Sequence, residues 1–146
     1  MRFKREIVGI ILCIAATNLL FGVTKIKSDS MVPVLRDGDW VFYFRYSSPR
    51  KFGIFFIDDP QKEGRSLVKR IIALPGERTK NYRISYVIPA DHYFVLGDNR
   101  EIHWENDLGE AVISRDSRSF GSVHRSFIHE RVVAVLWPPG HARCIW

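Results

Sequence analysis

Cysteine is scarce in this chain. Two thiols, Cys13 and Cys144, stand among 146 residues, too few for a disulfide framework. Cys13 lies inside an apolar run and Cys144 near the C-terminus, so joining them would draw the tail into that run. Both read as free thiols, and neither as a nucleophile. Metal-ligand spacing is missing too. The five histidines, His92, His103, His124, His129 and His141, form no HExxH pattern and have no paired cysteines beside them, so no metal is expected. Glycines are single and scattered, which excludes a glycine-rich phosphate loop, and no Gly-x-Ser-x-Gly elbow marks a serine. No heptad or longer repeat is present. Basic charge is thin over most of the length. Residues 1–27 hold five basic side chains and one acidic one, while residues 28–146 hold 17 basic and 15 acidic ones. The net charge of +6 therefore sits mostly at one end, which argues against nucleic acid and for anionic lipid headgroups.

Between those basic flanks, Ile7 to Val23 reads IVGIILCIAATNLLFGV, 17 residues without a charge. That is the short end of a membrane-spanning helix. A cleaved signal peptide, with Ala15-Ala16-Thr17 as its small residues, and a buried core helix are the alternatives. An uncleaved anchor is preferred because apolar residues continue past the small ones as Leu19-Leu20-Phe21. Arg2, Lys4 and Arg5 favour a cytoplasmic N-terminus, which places residues 28–146 outside the cytoplasm. The expected organisation is a membrane anchor with basic flanks over 1–27 and one folded domain over 28–146.

The folded part reads as mainly β. Trp40–Tyr46, Phe52–Ile57, Ser66–Leu74, Tyr82–Ile88, Tyr93–Leu96 and Val132–Trp137 are short runs rich in aromatic and β-branched residues. Turn residues separate them, among them Asp37-Gly38-Asp39, Asp58-Asp59-Pro60, Pro75-Gly76 and Pro138-Pro139-Gly140. A sandwich or barrel-like body follows. Short helices have room only in Glu101–Ile113, an acidic stretch otherwise read as a loop or hairpin, and in Val123–Glu130.

What remains for chemistry is a serine with a lysine. Ser28-Asp29-Ser30-Met31-Val32-Pro33 follows the apolar run, and Lys69 sits inside the strand Leu67-Val68-Lys69-Arg70-Ile71-Ile72. Strand alternation puts Lys69 and Arg70 on opposite faces, so one of the two cations points inward. Burial lowers a lysine pKa by about 3–5 units from about 10.4, and a neutral amine can act as a general base for a serine hydroxyl. The alternative is two solvated cations on the edges of an ordinary strand.

These residues stand in stretches that resemble a known family. Ser28-Asp29-Ser30-Met31-Val32-Pro33-Val34-Leu35 with Gly38-Asp39 resembles the nucleophile box of type I signal peptidases. Val68-Lys69-Arg70-Ile71-Ile72-Ala73-Leu74-Pro75-Gly76-Glu77 resembles their lysine box. Ile88 to Arg100, and Ser114-Arg115-Asp116-Ser117-Arg118-Ser119-Phe120-Gly121, resemble their last two boxes, in family order. The resemblance implies a signal-peptidase-like β catalytic body behind one N-terminal transmembrane helix. It implies Ser30 as nucleophile and Lys69 as general base. Ser28 and the Ser30 backbone N–H would stabilise the oxyanion, and Ser114 would orient the lysine amine. Asp116 and Arg118 would form a supporting pair, and Gly97 a turn that lets backbone approach. Met31, Leu35, Val41 and Val68 would line shallow pockets for small residues before the cleaved bond.

The implied activity is removal of N-terminal signal peptides from exported preproteins at a membrane surface, with no cofactor. The plasma membrane is the expected site, and the mitochondrial inner membrane the alternative. A dedicated peptidase for one client (a pilin or metalloenzyme precursor) and a non-catalytic assembly chaperone of the same fold are alternative functions. A self-cleaving repressor fits less well, since no helix-turn-helix is visible. The chain departs from the pattern in three places. Thirteen residues, Glu101 to Ile113, stand where the family has about two; Arg78–Val87 is short, implying a minimal core; and Glu77 and Ala73 replace an aspartate and a glycine.

Overall fold

Alternating apolar residues build the body as a sheet that is buried on both faces at its centre. A computed structural model describes residues 6, 7, 10, 17–81, 84–100, 103–105, 111–113 and 115–145. The strands in chain order are β1 (Phe21–Lys25), β2 (Trp40–Phe44), β3 (Ile54–Asp58), β4 (Ser66–Ala73), β5 (Arg78–Asn81), β6 (Ile84–Val87), β7 (His92–Leu96), β8 (His103–Glu105), β9 (Ala111–Ile113), β10 (Val123–His124), β11 (Ile128–Trp137) and β12 (Arg143–Cys144). After β9 a short helix, α1, spans Ser117–Phe120.

The main sheet is antiparallel and runs β1-β2-β11-β3-β4-β7-β10, with β12 added to β11. β11 is the longest strand and holds the sheet together. Ile128 to Val132 pair with β3 on one side, Arg131 to Trp137 pair with β2 on the other, β12 pairs with Ala134 and Val135, and bulges break both long ladders. Such bulges bend a strand and increase its twist, which curls the sheet. Ile54 of β3 packs into one core with Ile26, Met31, Leu35, Val41, Val132, Val135 and Ile145. Its neighbours Phe55 and Ile57 pack into a second, with Ile71, Val95, Val123 and Ile128. Adjacent strand residues point to opposite faces, so β3 lies between two cores.

The structure moves several expected boundaries. Phe21–Lys25, the end of the expected anchor and its flank, is the sheet's first strand. Phe21 stacks on Phe42 with ring centroids 5.2 Å apart and packs at the same distance against Phe44. An apolar run scored by hydropathy alone does not distinguish residues facing lipid from residues facing a neighbouring strand. Residues 6, 7, 10 and 17–20 are helical, and among the described residues no helix is long and apolar enough to cross a membrane. The expected strand from Phe52 begins at Ile54, because Phe52 adopts a left-handed φ of 66° in the preceding turn. Val123–Glu130 is not an α-helix. It is β10, a 3₁₀ turn over Arg125–Phe127, and the start of β11. Between Glu101 and Ile113, β8 and β9 pair as a hairpin.

Candidate active site

The serine turn is held by backbone. Ile26, buried after β1, donates its N–H to the Asp39 carbonyl at 2.8 Å and accepts from the Gly38 N–H at 3.0 Å. This returns the chain so that residues 29–35 fold as turns, with the Leu35 N–H bonded to the Met31 carbonyl at 2.9 Å. Met31 and Leu35 anchor the turns from below in the first core. Ser30 is thereby presented at the edge of that core, 8% exposed. Its backbone N–H donates to the Ser28 hydroxyl at 3.1 Å.

β4 supplies the lysine. Its burial alternates strictly, with Leu67, Lys69, Ile71 and Ala73 buried and Val68, Arg70 and Ile72 half-buried. Lys69 is therefore the inward cation, 2% exposed, and its Nζ donates to Ser30 Oγ at 2.8 Å across 39 residues of sequence. Burial pushes its pKa from 10.5 down to about 8. Asp116 opposes that shift, while Arg118 and Arg65 reinforce it. Arg70, on the other face, makes a two-pronged pair with Asp98 at 2.8 and 2.6 Å and donates to the Phe52 carbonyl at 2.6 Å.

Asp116 is fully buried and satisfied on all sides. Its carboxylate accepts from Arg118 Nε at 3.0 Å and Nη2 at 2.9 Å, and caps α1 by accepting the Arg118 N–H at 3.0 Å. It also accepts the Gly97 N–H at 3.2 Å, while Ser117 Oγ accepts the Val95 N–H at 2.9 Å. These bonds tie α1 to β7 and the residues after it. That segment in turn grips the serine turn, through the Asn99 N–H to the Ser30 carbonyl at 3.1 Å and Asn99 Nδ2 to the Asp29 carbonyl at 3.3 Å.

A groove of about 680 Å³ opens beside the serine–lysine pair. Thr24 to Ser28 form one wall and Arg65 to Lys69 the other, with Phe56, Ser30, Met31 and Arg115 completing the lining. Both walls are strand edges. β1 is the terminal strand of the main sheet, and β7 pairs with β4 only from Arg70 onward, leaving Ser66–Lys69 without a strand partner on that side among the described residues.

Of the expected pocket residues, Met31 and Val68 line the groove, while Leu35 and Val41 lie in the core beneath it and outside its lining. Ser28, Ser30 and Lys69 are brought together, with Asp116, Arg118 and Gly97 behind them. Ser114 lies outside the described residues. Among the described residues no three His, Cys, Asp or Glu side chains gather as metal ligands. Three contributors carried no role in the sequence reading: Arg70, Asp98 and Asn99. The signal for Arg70 was present, since a strand cation on the second face of β4 needs a carboxylate partner.

The model of the family described as signal peptidase, peptidase S26, matches residues 2–85 and 77–137. Mitochondrial inner membrane protease subunit 2 of Danio rerio is 28% identical, covering 94% of this chain and 78% of its own. Signal peptidase I P of Bacillus subtilis subsp. natto is 25% identical, over 77% of this chain and 80% of its own. A solved signal peptidase I from Enterococcus faecalis V583 aligns with 62% of this chain and 98% of its own, at 24% identity and a TM-score of 0.42. With the family model spanning nearly the whole sequence and taking in both members of the buried pair, the chain belongs to the signal peptidase family, peptidase S26, and is a serine peptidase that removes signal peptides.

Proposed function

We propose that Ser30 is the nucleophile and Lys69 its general base, acting on preproteins with small residues before the cleaved bond. The observation that carries this reading is the 2.8 Å contact between Lys69 Nζ and Ser30 Oγ, with the lysine pKa held at about 8 by burial. In its neutral form the amine accepts the hydroxyl proton as the serine oxygen bonds to the carbonyl carbon. The oxyanion forms beside the Ser30 N–H and the Ser28 hydroxyl, which already meet at 3.1 Å. Collapse expels the new N-terminus, which takes its proton from Lys69. Water, deprotonated by the same amine, then releases the acyl group from Ser30.

The unpaired edges support an extended substrate. A peptide laid between β1 and the start of β4 would add a strand to either edge. Met31 and Val68 would meet its small side chains, with Leu35 and Val41 backing the wall. Asp116 and Arg118 hold the strand end opposite the amine, Gly97 ties that end to Asp116, and Ser114 orients the lysine. The residues before β1 anchor the protein in a plasma or mitochondrial inner membrane, and the sheet from Phe21 onward is the catalytic domain on the extracytoplasmic side. No cofactor takes part.

The test is cleavage of a preprotein with an Ala-x-Ala site by detergent-solubilised protein beside Ser30→Ala and Lys69→Ala. The expected result is cleavage after the second alanine by the parent, and a loss of at least about 10³-fold in each variant. Cleavage surviving in Ser30→Ala would overturn the assignment.

A further inference from the structure

We infer that the groove selects an acidic residue four or five positions before the cleaved bond, recognised by Arg65 and Arg115 at the end of the groove away from Ser30. This deepens the reading of Ser30 and Lys69 as the catalytic pair and rests on it.

Among the described residues, the groove lining holds five cationic ones, Lys25, Lys27, Arg65, Lys69 and Arg115, and no acidic one. The carboxylate that meets both arginines is Asp59, whose side chain is wholly covered beneath them. Arg115 Nε lies 3.0 Å from it and Arg65 Nε 4.0 Å. Two guanidinium groups thus share one carboxylate, and a unit of positive charge is left facing the groove. Arg115 is held on Asp59 by two prongs, its Nε 3.0 Å from Oδ2 and its Nη2 3.3 Å from Oδ1. Arg65 is the looser of the two, 4.0 Å from the same carboxylate with 48% of its side chain exposed, and so is the guanidinium that can turn to a ligand in the groove.

Strand geometry fixes the position. Arg65 precedes Lys69 by four residues, which is about 13 Å along an extended chain. A peptide alongside β4 advances at the same rate, so its residue beside Arg65 lies four or five from the bond at Ser30. Val68 stands between, lining the groove where the small residues before the bond are placed. The acid therefore belongs on that side of the bond. An anionic lipid headgroup offers similar charge, but these two arginines line a groove continuous with Ser30, which favours a segment of the substrate itself.

The experiment uses full-length protein in neutral detergent and peptides that share one Ala-x-Ala site. Asp, Asn or Lys is placed at the fourth or the fifth residue before the bond. Asp over Asn is expected to raise kcat/KM about threefold to tenfold at one of these positions, with Lys below Asn. The Asp-to-Asn ratio should fall toward one in Arg65→Gln, persist in Arg65→Lys, and shrink in about 0.5 M salt. If the Asn peptide is cut in a Ser30-dependent way and Asp brings no gain at either position, the inference is overturned while the catalytic assignment stands. If no peptide is cut, or cutting persists in Ser30→Ala, both fall. If Arg65→Gln weakens binding to phosphatidylglycerol vesicles and leaves the peptide ratio unmoved, the cations serve lipid and the inference is wrong.

Discussion

At pH 7 an amine with a pKa of about 8 is uncharged in about one molecule in ten, against about one in three thousand for a lysine in water. Burial of Lys69 thus raises the working fraction of general base several-hundredfold without a change of residue. The sign follows from the protonation state needed. Catalysis requires the neutral form, so kcat/KM for a peptide free of titrating groups should climb about tenfold per pH unit below 8 and level off above it. Asp116 raises that pKa and Arg118 lowers it, so their mutual pairing keeps either from dominating. Removing the guanidinium in Arg118→Met leaves Asp116 facing the amine without its nearest cation. The inflection should then move to higher pH, and a profile that stays in place would show that Asp116 does not act on Lys69.

At the scale of elements, β4 shows what was legible and what was not. Its sequence shows that Lys69 and Arg70 face opposite ways; which one points inward depends on where β3 and β7 lie. Once β7 pairs from Arg70 onward, Asp98 stands where it can satisfy the guanidinium, and the lysine is left inside. The serine turn was readable from its residues, but its tether through Asn99 was not, since it joins segments 69 residues apart. β1 was misassigned to the apolar run because the rings it faces belong to β2. The start of β3 shows a local constraint overriding propensity. Gly53 follows the left-handed Phe52, and a Cβ there would fall 2.6 Å from the ring of buried Phe55 and 3.2 Å from the Arg50 carbonyl. Gly53→Ala should therefore destabilise the fold by about 1–3 kcal/mol, read as a lower urea midpoint with an unchanged slope. An unchanged midpoint would mean that the Phe55 ring moves freely in its core.

For the whole molecule, β1 is both a wall of the groove and the direct continuation of the helical residues 17–20. Any segment held in a bilayer before it therefore fixes how the groove meets the membrane. The sheet surface at that end is apolar. Register places Phe21, Val23 and Lys25 opposite Phe44, Phe42 and Trp40, and Trp137 opposite Trp40 on the next strand. Trp40 is 44% and Trp137 57% exposed, and Val23 and Leu136 are exposed with them. Tryptophan concentrates at membrane–water boundaries because its ring is apolar while its N–H remains hydrated. A body resting on this surface would present the groove to a preprotein held in the same bilayer, and a free peptide would gain nothing from that placement. Trp40→Ser/Trp137→Ser should therefore lower cleavage of a vesicle-embedded preprotein about tenfold relative to cleavage of a short soluble peptide by the same variant. A common loss on both substrates would place the tryptophans in the fold's stability, and an unchanged ratio would mean that the sheet surface lies away from the lipid.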